Sequence, residues 1–239
     1  MLVKTEAIVL HSLKYGEGRI IVDMFTRSHG RLSFIVPVPR SERSKIKKQY
    51  LQPLTILQIE ADILPQRQLQ KLREAMIAVP LPLLLSDAKK LSQGLFVSEF
   101  LYHALKGEQK NELLFEYVCN SIEWLDGTSG PNANFHLVFL MRMSRFLGFY
   151  PNLDDSGNYF DLRAATFCTT PPPHHEFLEP QEASRIRILM RMSYATMHLF
   201  RLSRAERNRI LEILLLYYRL HLPEFPELRS INVLHELYE

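Results

Sequence analysis

Cysteine is scarce in this chain: Cys119 and Cys168 are the only two in 239 residues, far apart and in unlike surroundings. Two such thiols make no disulfide framework, and a reducing compartment fits them. Long apolar runs are missing as well. The most apolar later stretch, Val79 to Leu85, contains Pro80 and Pro82 and is far too short to span a bilayer. The N-terminal M-L-V-K-T-E-A-I-V-L carries charges where a signal peptide needs an unbroken apolar core, so a soluble cytoplasmic protein is expected. Motifs for chemistry are lacking too. Gly16-Glu17-Gly18 begins like a dinucleotide fingerprint but has neither the third glycine nor the following helix, and there is no G-x-x-x-x-G-K-[ST], H-E-x-x-H or G-x-S-x-G. Cys119 falls on an apolar-periodic helix and reads as a small buried hydrophobe. Cys168 with His174 and His175 falls short of the four paired ligands of tetrahedral zinc. Adjacent Asp154 and Asp155 are too commonplace a loop pair to carry a nuclease. Binding without catalysis, cofactor or metal is what these absences leave.

Positive charge is present and unevenly placed. Residues 1–79 hold 13 Lys plus Arg against 7 Asp plus Glu, a net of +6, whereas residues 80–239 hold 16 against 19, a net of −3. Such asymmetry points to a polyanion met through one end of the molecule. Most of the excess lies in P-V-P-R-S-E-R-S-K-I-K-K, Pro37 to Lys48, where Arg40, Arg43, Lys45, Lys47 and Lys48 face a single Glu42. Its prolines give no ladder hydrogen bonds and drive their neighbours from helical geometry, so the run reads as a loop between strands. Phosphates suit such a loop; a solvated loop with no partner is the plain alternative.

Strand-length apolar groups flank it. Val3–Leu10, Arg19–Thr26, Arg31–Val36 and Leu51–Ile59 are separated by the turns Tyr15-Gly16-Glu17-Gly18 and Ser28-His29-Gly30 and by the basic loop, and Leu69–Val79 reads as a fifth strand rather than a short helix. Five short strands joined by hairpins suit a closed barrel, because closure removes exposed edges. The oligonucleotide-binding (OB) barrel is the commonest small form with a basic loop beside its binding face, and an SH3-like barrel is the alternative. Lys14, Arg19, Arg27 and Arg31 near strand ends join the loop cations along one side of a groove. Tyr15 and Phe34 are candidate stacking faces for bases, although an aromatic in a strand is more often core.

At Pro80-Leu81-Pro82 the pattern changes, dividing an OB-fold domain at 1–80 from a mostly helical domain at 81–239. Helices are expected from an Asp87 N-cap to Leu105, over Asn111–Leu125 and Phe135–Leu147, over Glu179–Phe200, from a Ser203 N-cap over Arg204–Leu222, and near the C-terminus to Tyr238. Residues 151–173 have no helical period and form an irregular insert. Arg185, Arg187, Arg191, Arg201, Arg204, Arg207 and Arg209 crowd the later helices against Glu206 alone. A guanidinium fork grips carboxylate or phosphate by two parallel hydrogen bonds, so an acidic peptide or nucleic acid fits; so does a solvated face paired with the surplus acids.

Three stretches carry a resemblance. A-I-V-L-H-S-L-K-Y-G-E-G with I-V-x-x-F-T-x-x-x-G-R-L-S and L-Q-P-L-T, then F-L-G-F-Y-P-N-L, then L-L-L-Y-Y-R-L-H-L-P-E-F-P-E-L-R-S-I-N-V-L-H-E-L, in this order and spacing, resemble the RecO family of bacterial recombinational repair proteins. The resemblance implies an N-terminal OB barrel, a helical C-terminal domain and a nucleoid-associated, non-enzymatic mediator. Such a mediator binds single- and double-stranded DNA, anneals complementary strands, works with RecR and helps load RecA on DNA coated by single-strand-binding protein. It also implies a receptor for that protein's acidic C-terminal tail, for which Arg142 and Arg145 join Arg185, Arg187, Arg191, Arg204 and Arg207 as candidates. An adaptor that holds acidic tails, with DNA contact secondary, is the rival. Many members carry a zinc module of paired cysteines after F-L-G-F-Y-P-N-L. Here Asp154-Asp155-Ser156-Gly157 takes the first pair's place and Cys168-Thr169-Thr170-Pro171 keeps one cysteine, so a zinc-free, ribbon-like loop packed around Tyr159, Phe160, Leu162 and Phe167 is expected. A family glycine after the third strand is replaced by Pro37-Val38-Pro39, so DNA contacts are not carried over residue by residue.

Overall fold

The computed structural model describes residues 1–38, 44–152 and 156–236. Arg40 and Arg43 of the basic run, and Asp154 and Asp155, lie outside the described residues. The first compact unit is Met1–Gly127 with Leu228–Leu234, and the second is Thr128–Glu227 with His235–Glu239.

Alternation of buried and outward residues builds the barrel of the first unit. Strands β1 (Leu2–Tyr15), β2 (Arg19–Thr26), β3 (Gly30–Pro37), β4 (Ile56–Asp62) and β5 (Leu69–Val79) close in the order β1-β2-β3-β5-β4. The β3–β5 pairing is parallel, and antiparallel β1–β4 pairing completes the ring. This is the OB-like closure. Ala7, Val9, Val22, Met24, Phe34, Val36, Leu57 and Ile59 fill the interior. Strand β4 starts later than the apolar pattern suggests. Lys48–Leu51 forms a 3-10 turn, and Leu54 after Pro53 takes a left-handed φ of 61°, which delays extended backbone to Ile56.

Helices α1 (Pro82–Ser86), α2 (Ala88–Ala104) and α3 (Glu112–Gly127) belong to the same unit. The Asp87 side chain caps α2 by accepting from the Lys89 and Lys90 N–H groups. Phe25, on the outer side of β2, packs on Phe115 of α3 with ring centroids 5.7 Å apart. At Gly30 a Cβ would lie 2.3 Å from the Glu108 carbonyl oxygen, and φ is +71°, so only glycine allows the β2–β3 turn this close to the α2–α3 connection.

The second unit holds α4 (Phe135–Phe146), the small sheet β6 (Tyr159–Asp161), β7 (Thr166–Cys168) and β8 (Phe177–Leu178), then α5 (Pro180–Arg191) and α6 (Arg204–His221); α7 spans Ile231–Glu236. Residues 151–173 therefore contribute strands where an irregular insert was expected, and Phe160, Leu162 and Phe167 are buried in them. The helix expected to run to Phe200 stops at Arg191. Ser193 and Thr196 bond each other's backbone and side chains there, offering the chain an alternative to the helical ladder. A capping box of Ser203 and Glu206 starts α6 as the sequence suggests.

Candidate nucleic-acid interface

An open groove of about 790 Å³ runs along the barrel where β3 and β5 lie parallel. Arg19, Ile35, Pro37 and Val38 form one side, and Leu69, Lys71 and Arg73 of β5 face them. Lys45 and Ile46, emerging from the basic run, close one end, and the Ala75 N–H donates to the Lys45 carbonyl to hold that segment on β5. Arg67 stands at the mouth. Its turn is fixed by buried Gln70, whose Oε1 accepts from the Leu64 N–H and whose Nε2 donates to the Leu64 and Arg67 carbonyls. Strand alternation explains the chemistry: Gln70 and Leu72 turn inward while Lys71 and Arg73 point to solvent, and a register shift in the β4–β5 ladder then brings Ala75 inward.

Carboxylates are built into this surface. Lys45 Nζ donates to Glu74, whose carboxyl it holds below the ordinary carboxylate value through that bond. Arg73 Nε donates to Asp62 at 2.8 Å and lowers its pKa in the same way. Lys4 sits 3.3 Å from Glu60. Arg19 and Arg67 have no salt bridge among the described residues, and Lys71 lies opposite Asp62 of β4, whose carboxyl its charge also helps to lower.

The sequence-selected residues divide accordingly. Arg19 and Lys45 line the groove, and Lys47 and Lys48 are exposed beside it, with Lys47 5.8 Å from the Tyr50 ring centre. Lys14 is exposed but pairs with Ile20, on the strand face opposite Arg19. Three candidates need correction. Phe34 is fully buried, 0% exposed, in the barrel core and offers no stacking face. Arg27 is clamped by Glu6 at 2.7 Å and by Glu112 and Glu116 at 3.5 and 2.9 Å, and it also covers the Phe115 ring. Arg31 is 14% exposed; it donates to the Tyr102 carbonyl, lies over that ring at 4.5 Å and faces Asp23 at 3.7 Å. Both arginines fasten helices to the barrel. Glu112 and Glu116, four apart on one helix face, were the available signal for Arg27. Sequence reasoning missed Arg67, Lys71 and Arg73, although outward cations alternating with inward residues in Leu69–Arg73 mark them.

In the second unit most of the arginine cluster is engaged internally. Arg185 pairs with Glu206 at 3.1 Å, Arg209 with Glu182 at 2.6 Å, and Arg207 donates to the Leu202 carbonyl. Arg187 lies 3.6 Å from the Phe167 ring centre and donates to the Gly157 carbonyl. Arg145 covers Tyr150, and Arg142 donates to the Met192 carbonyl, each with an exposed side chain. Arg204 is half-buried, whereas Arg191 and Arg201 are exposed.

Little here suggests metal chemistry. The His174 ring lies between Asp161 and Glu176, at 3.3 and 3.6 Å, while Arg163 takes Glu176 at 3.0 Å. Burial and the Asp161 charge push the Cys168 thiol up, and burial raises Cys119 to about 12, which disfavours the thiolate a metal would need. Among the described residues no His, Cys, Asp and Glu group could hold an ion, and no helix is long and apolar enough to cross a membrane.

Barrel closure, a cationic outer groove and a following helical part define a protein built on an OB-like barrel. Residues 1–80 match the family model described as Recombination protein O N terminal, and residues 85–230 match Recombination protein O C terminal. The chain is 52% identical over 240 residues to a protein of Phocaeicola vulgatus named DNA repair protein RecO, covering all of both chains. Proteins of the same name from Bacteroides fragilis and Flavobacterium psychrophilum are 50% and 34% identical over 242 residues, again with full coverage. The chain belongs to the RecO family of DNA repair proteins.

Proposed function

We propose that this protein is a non-catalytic DNA-binding mediator of recombinational repair, whose barrel groove holds the phosphate backbone of single- and double-stranded DNA. In this reading it anneals complementary strands and, with RecR, helps load RecA on DNA coated by single-strand-binding protein, at the nucleoid. The supporting observation is the groove, lined by Arg19, Arg67 and Lys71, of which Arg19 and Arg67 have no salt bridge among the described residues, with Lys45, Lys47 and Lys48 adjoining them. Such cations displace the counterions condensed on the phosphates of a nucleic acid, which supplies sequence-independent affinity. Changing Lys45, Lys47, Lys48 and Lys71 to Ala tests it. Binding of a labelled single-stranded oligonucleotide should weaken, and the slope of log affinity against log salt should become shallower by about 2.8, at about 0.7 per phosphate contact. An unchanged slope rejects the groove.

The exposed guanidinium groups of Arg142, Arg145, Arg191 and Arg201 favour a second role for the helical unit, receiving the acidic C-terminal tail of single-strand-binding protein. Arg185 and Arg187 enter this reading as supports, being held by Glu206 and Gly157.

A further inference from the structure

A phosphate backbone explains neither two carboxylates in the groove nor its shape. Glu60 of β4 and Glu74 of β5 lie opposite each other in the ladder, and both line the groove. Opposed side chains share a face with Cβ atoms about 5 Å apart, and like charges so placed destabilise a sheet. On a track for phosphates they repel the ligand as well. Lys4 takes Glu60 and Lys45 takes Glu74, each through a largely exposed side chain. A carboxylate has about four lone-pair sites, of which one lysine contact fills one. The shape is a wedge. Parallel pairing joins β3 to β5 only from Ser33 opposite Leu69 to Ile35 opposite Lys71. Beyond that step Pro37 stays opposite Arg19 of β2 and the Val38 N–H donates to the Gly18 carbonyl, while Glu74 stays on β4. The strands part there, and Lys45 and Ile46 close the far end.

We propose that this wedge is a site for a ribonucleoside di- or triphosphate, whose binding keeps a nucleic-acid backbone off the same cations. The proposal goes beyond the DNA-binding reading above and shares Lys71 with it. Cations stand on both walls, Arg19 on the β2 side and Lys71 on β5, with Arg67 at the mouth. Convergence from two sides suits phosphates joined in a short chain, which gather several charges in a small space. The neighbouring hydroxyls of ribose donate to carboxylates, as they do to the acidic residue of dinucleotide sites, so Glu60 and Glu74 hold the sugar. Ile35, Pro37, Val38 and Ile46 give the base an apolar wall that reads no base edge. The volume of about 790 Å³ falls within the range of about 300–1,000 Å³ that small-ligand pockets occupy. Inside a DNA strand the sugar has no 2′-hydroxyl and its 3′-oxygen is esterified, so it makes no use of the carboxylates. An acidic peptide makes no use of them either.

The test titrates the full chain with ATP, GTP, 2′,3′-dideoxy-ATP and inorganic triphosphate by calorimetry, and repeats each as a competitor of a labelled single-stranded oligonucleotide. ATP and GTP should bind and displace the oligonucleotide. Dideoxy-ATP and inorganic triphosphate should bind about tenfold more weakly, the loss of a charge-assisted hydrogen bond. Glu60→Ala combined with Glu74→Ala, at outward positions that leave the core intact, should lower ATP affinity about tenfold and close the gap between ATP and its dideoxy form. The same variant should bind the oligonucleotide no more weakly than the native protein. Lys71→Ala should weaken ATP, inorganic triphosphate and the oligonucleotide together. Three results overturn the proposal: no binding of ATP or GTP below about 1 mM, inorganic triphosphate or dideoxy-ATP bound as tightly as ATP, or a gap that survives removal of both carboxylates. In each of these a weakened oligonucleotide in Lys71→Ala leaves the DNA-binding reading standing. If the nucleotides behave as expected and Lys71→Ala binds the oligonucleotide as the native protein does, the DNA-binding reading of the groove falls and the nucleotide site stands.

Discussion

Glu74→Gln isolates the effect of the carboxylates built into the groove. Lys45 Nζ donates to Glu74, and the two side chains are 72% and 44% exposed, so the pair lies at the surface and exchanges readily. Incoming phosphate must take Lys45 from this partner. Glutamine keeps the size and one acceptor oxygen of the side chain but removes its charge, which leaves Lys45 free to neutralise a phosphate and release the cations condensed on the strand. Each phosphate contact on a single strand contributes about 0.7 to the salt slope, so the variant's slope should steepen by about 0.7. Over a fourfold fall in salt, from about 200 to about 50 mM, that amounts to about 2.5-fold more tightening than the native protein shows. Fluorescence anisotropy with a labelled oligonucleotide at several salt concentrations measures it. Tighter binding at low salt with the steeper slope is expected, and Asp62→Asn should act likewise through Arg73. Weaker binding, or an unchanged slope in both variants, would show that these carboxylates do not compete with phosphate and refute the reasoning.

Two predictions concern the frame around the groove. Asp126 Oδ1 accepts the Leu83 and Leu84 N–H groups at 2.8 and 2.6 Å, and its carbonyl accepts from the buried Lys90 ammonium. Asp126→Ala should cost about 3 kcal/mol in urea unfolding, with Asp126→Asn costing less than half of that, since buried hydrogen bonds to a charged group are worth about 1.5–3 kcal/mol each; a loss below about 0.5 kcal/mol contradicts the assignment. Burial pushes the Glu99 carboxyl up, but Ser230 Oγ–H and N–H and the Arg229 N–H outweigh it and hold it below the ordinary 4.5. A folded value below the unfolded one stabilises fully above 4.5 and is lost as pH falls through the depressed value. Unfolding followed from about pH 6 to about pH 3 should therefore show a steeper loss in the native protein than in Glu99→Gln, and parallel curves would refute the tie.

The barrel was legible because its signal is local and periodic. Strand-length apolar groups rich in β-branched residues in Arg19–Thr26 and Arg31–Val36 and the glycine turns suffice to place β2 and β3, and Asp87 and Ser203 mark their helix starts in a few residues each. Strand β4 was misplaced at its start because the left-handed turn at Leu54, which buries a leucine rather than a glycine, has no composition cue. In the site, the cation count was legible but its disposition was not. Glu74 is 29 residues from Lys45, and Glu116 is 89 from Arg27, separations that only the folded chain closes. Phe34 belongs to the core because it lies opposite Val22, a fact of register and not of aromaticity.

Charge counted along a chain therefore overstates charge offered to a ligand, and what separates the two is how each cation is held. Arg27 and Arg31 are paired and also packed on Phe115 and Tyr102, so releasing them would uncover the joints between helices and barrel. Lys45 and Arg73 are paired at the surface, where solvent already competes with their carboxylates. A phosphate can replace Glu74 or Asp62 without disturbing any packing, but it cannot replace Tyr102 beneath Arg31. The first kind of pair tunes affinity and its salt dependence; the second fixes the scaffold that aims the groove. The cations that line the groove where β3 and β5 run parallel are then Arg19, Arg67 and Lys71, with Lys45 and Arg73 as an exchangeable reserve and Lys47 and Lys48 exposed beside them.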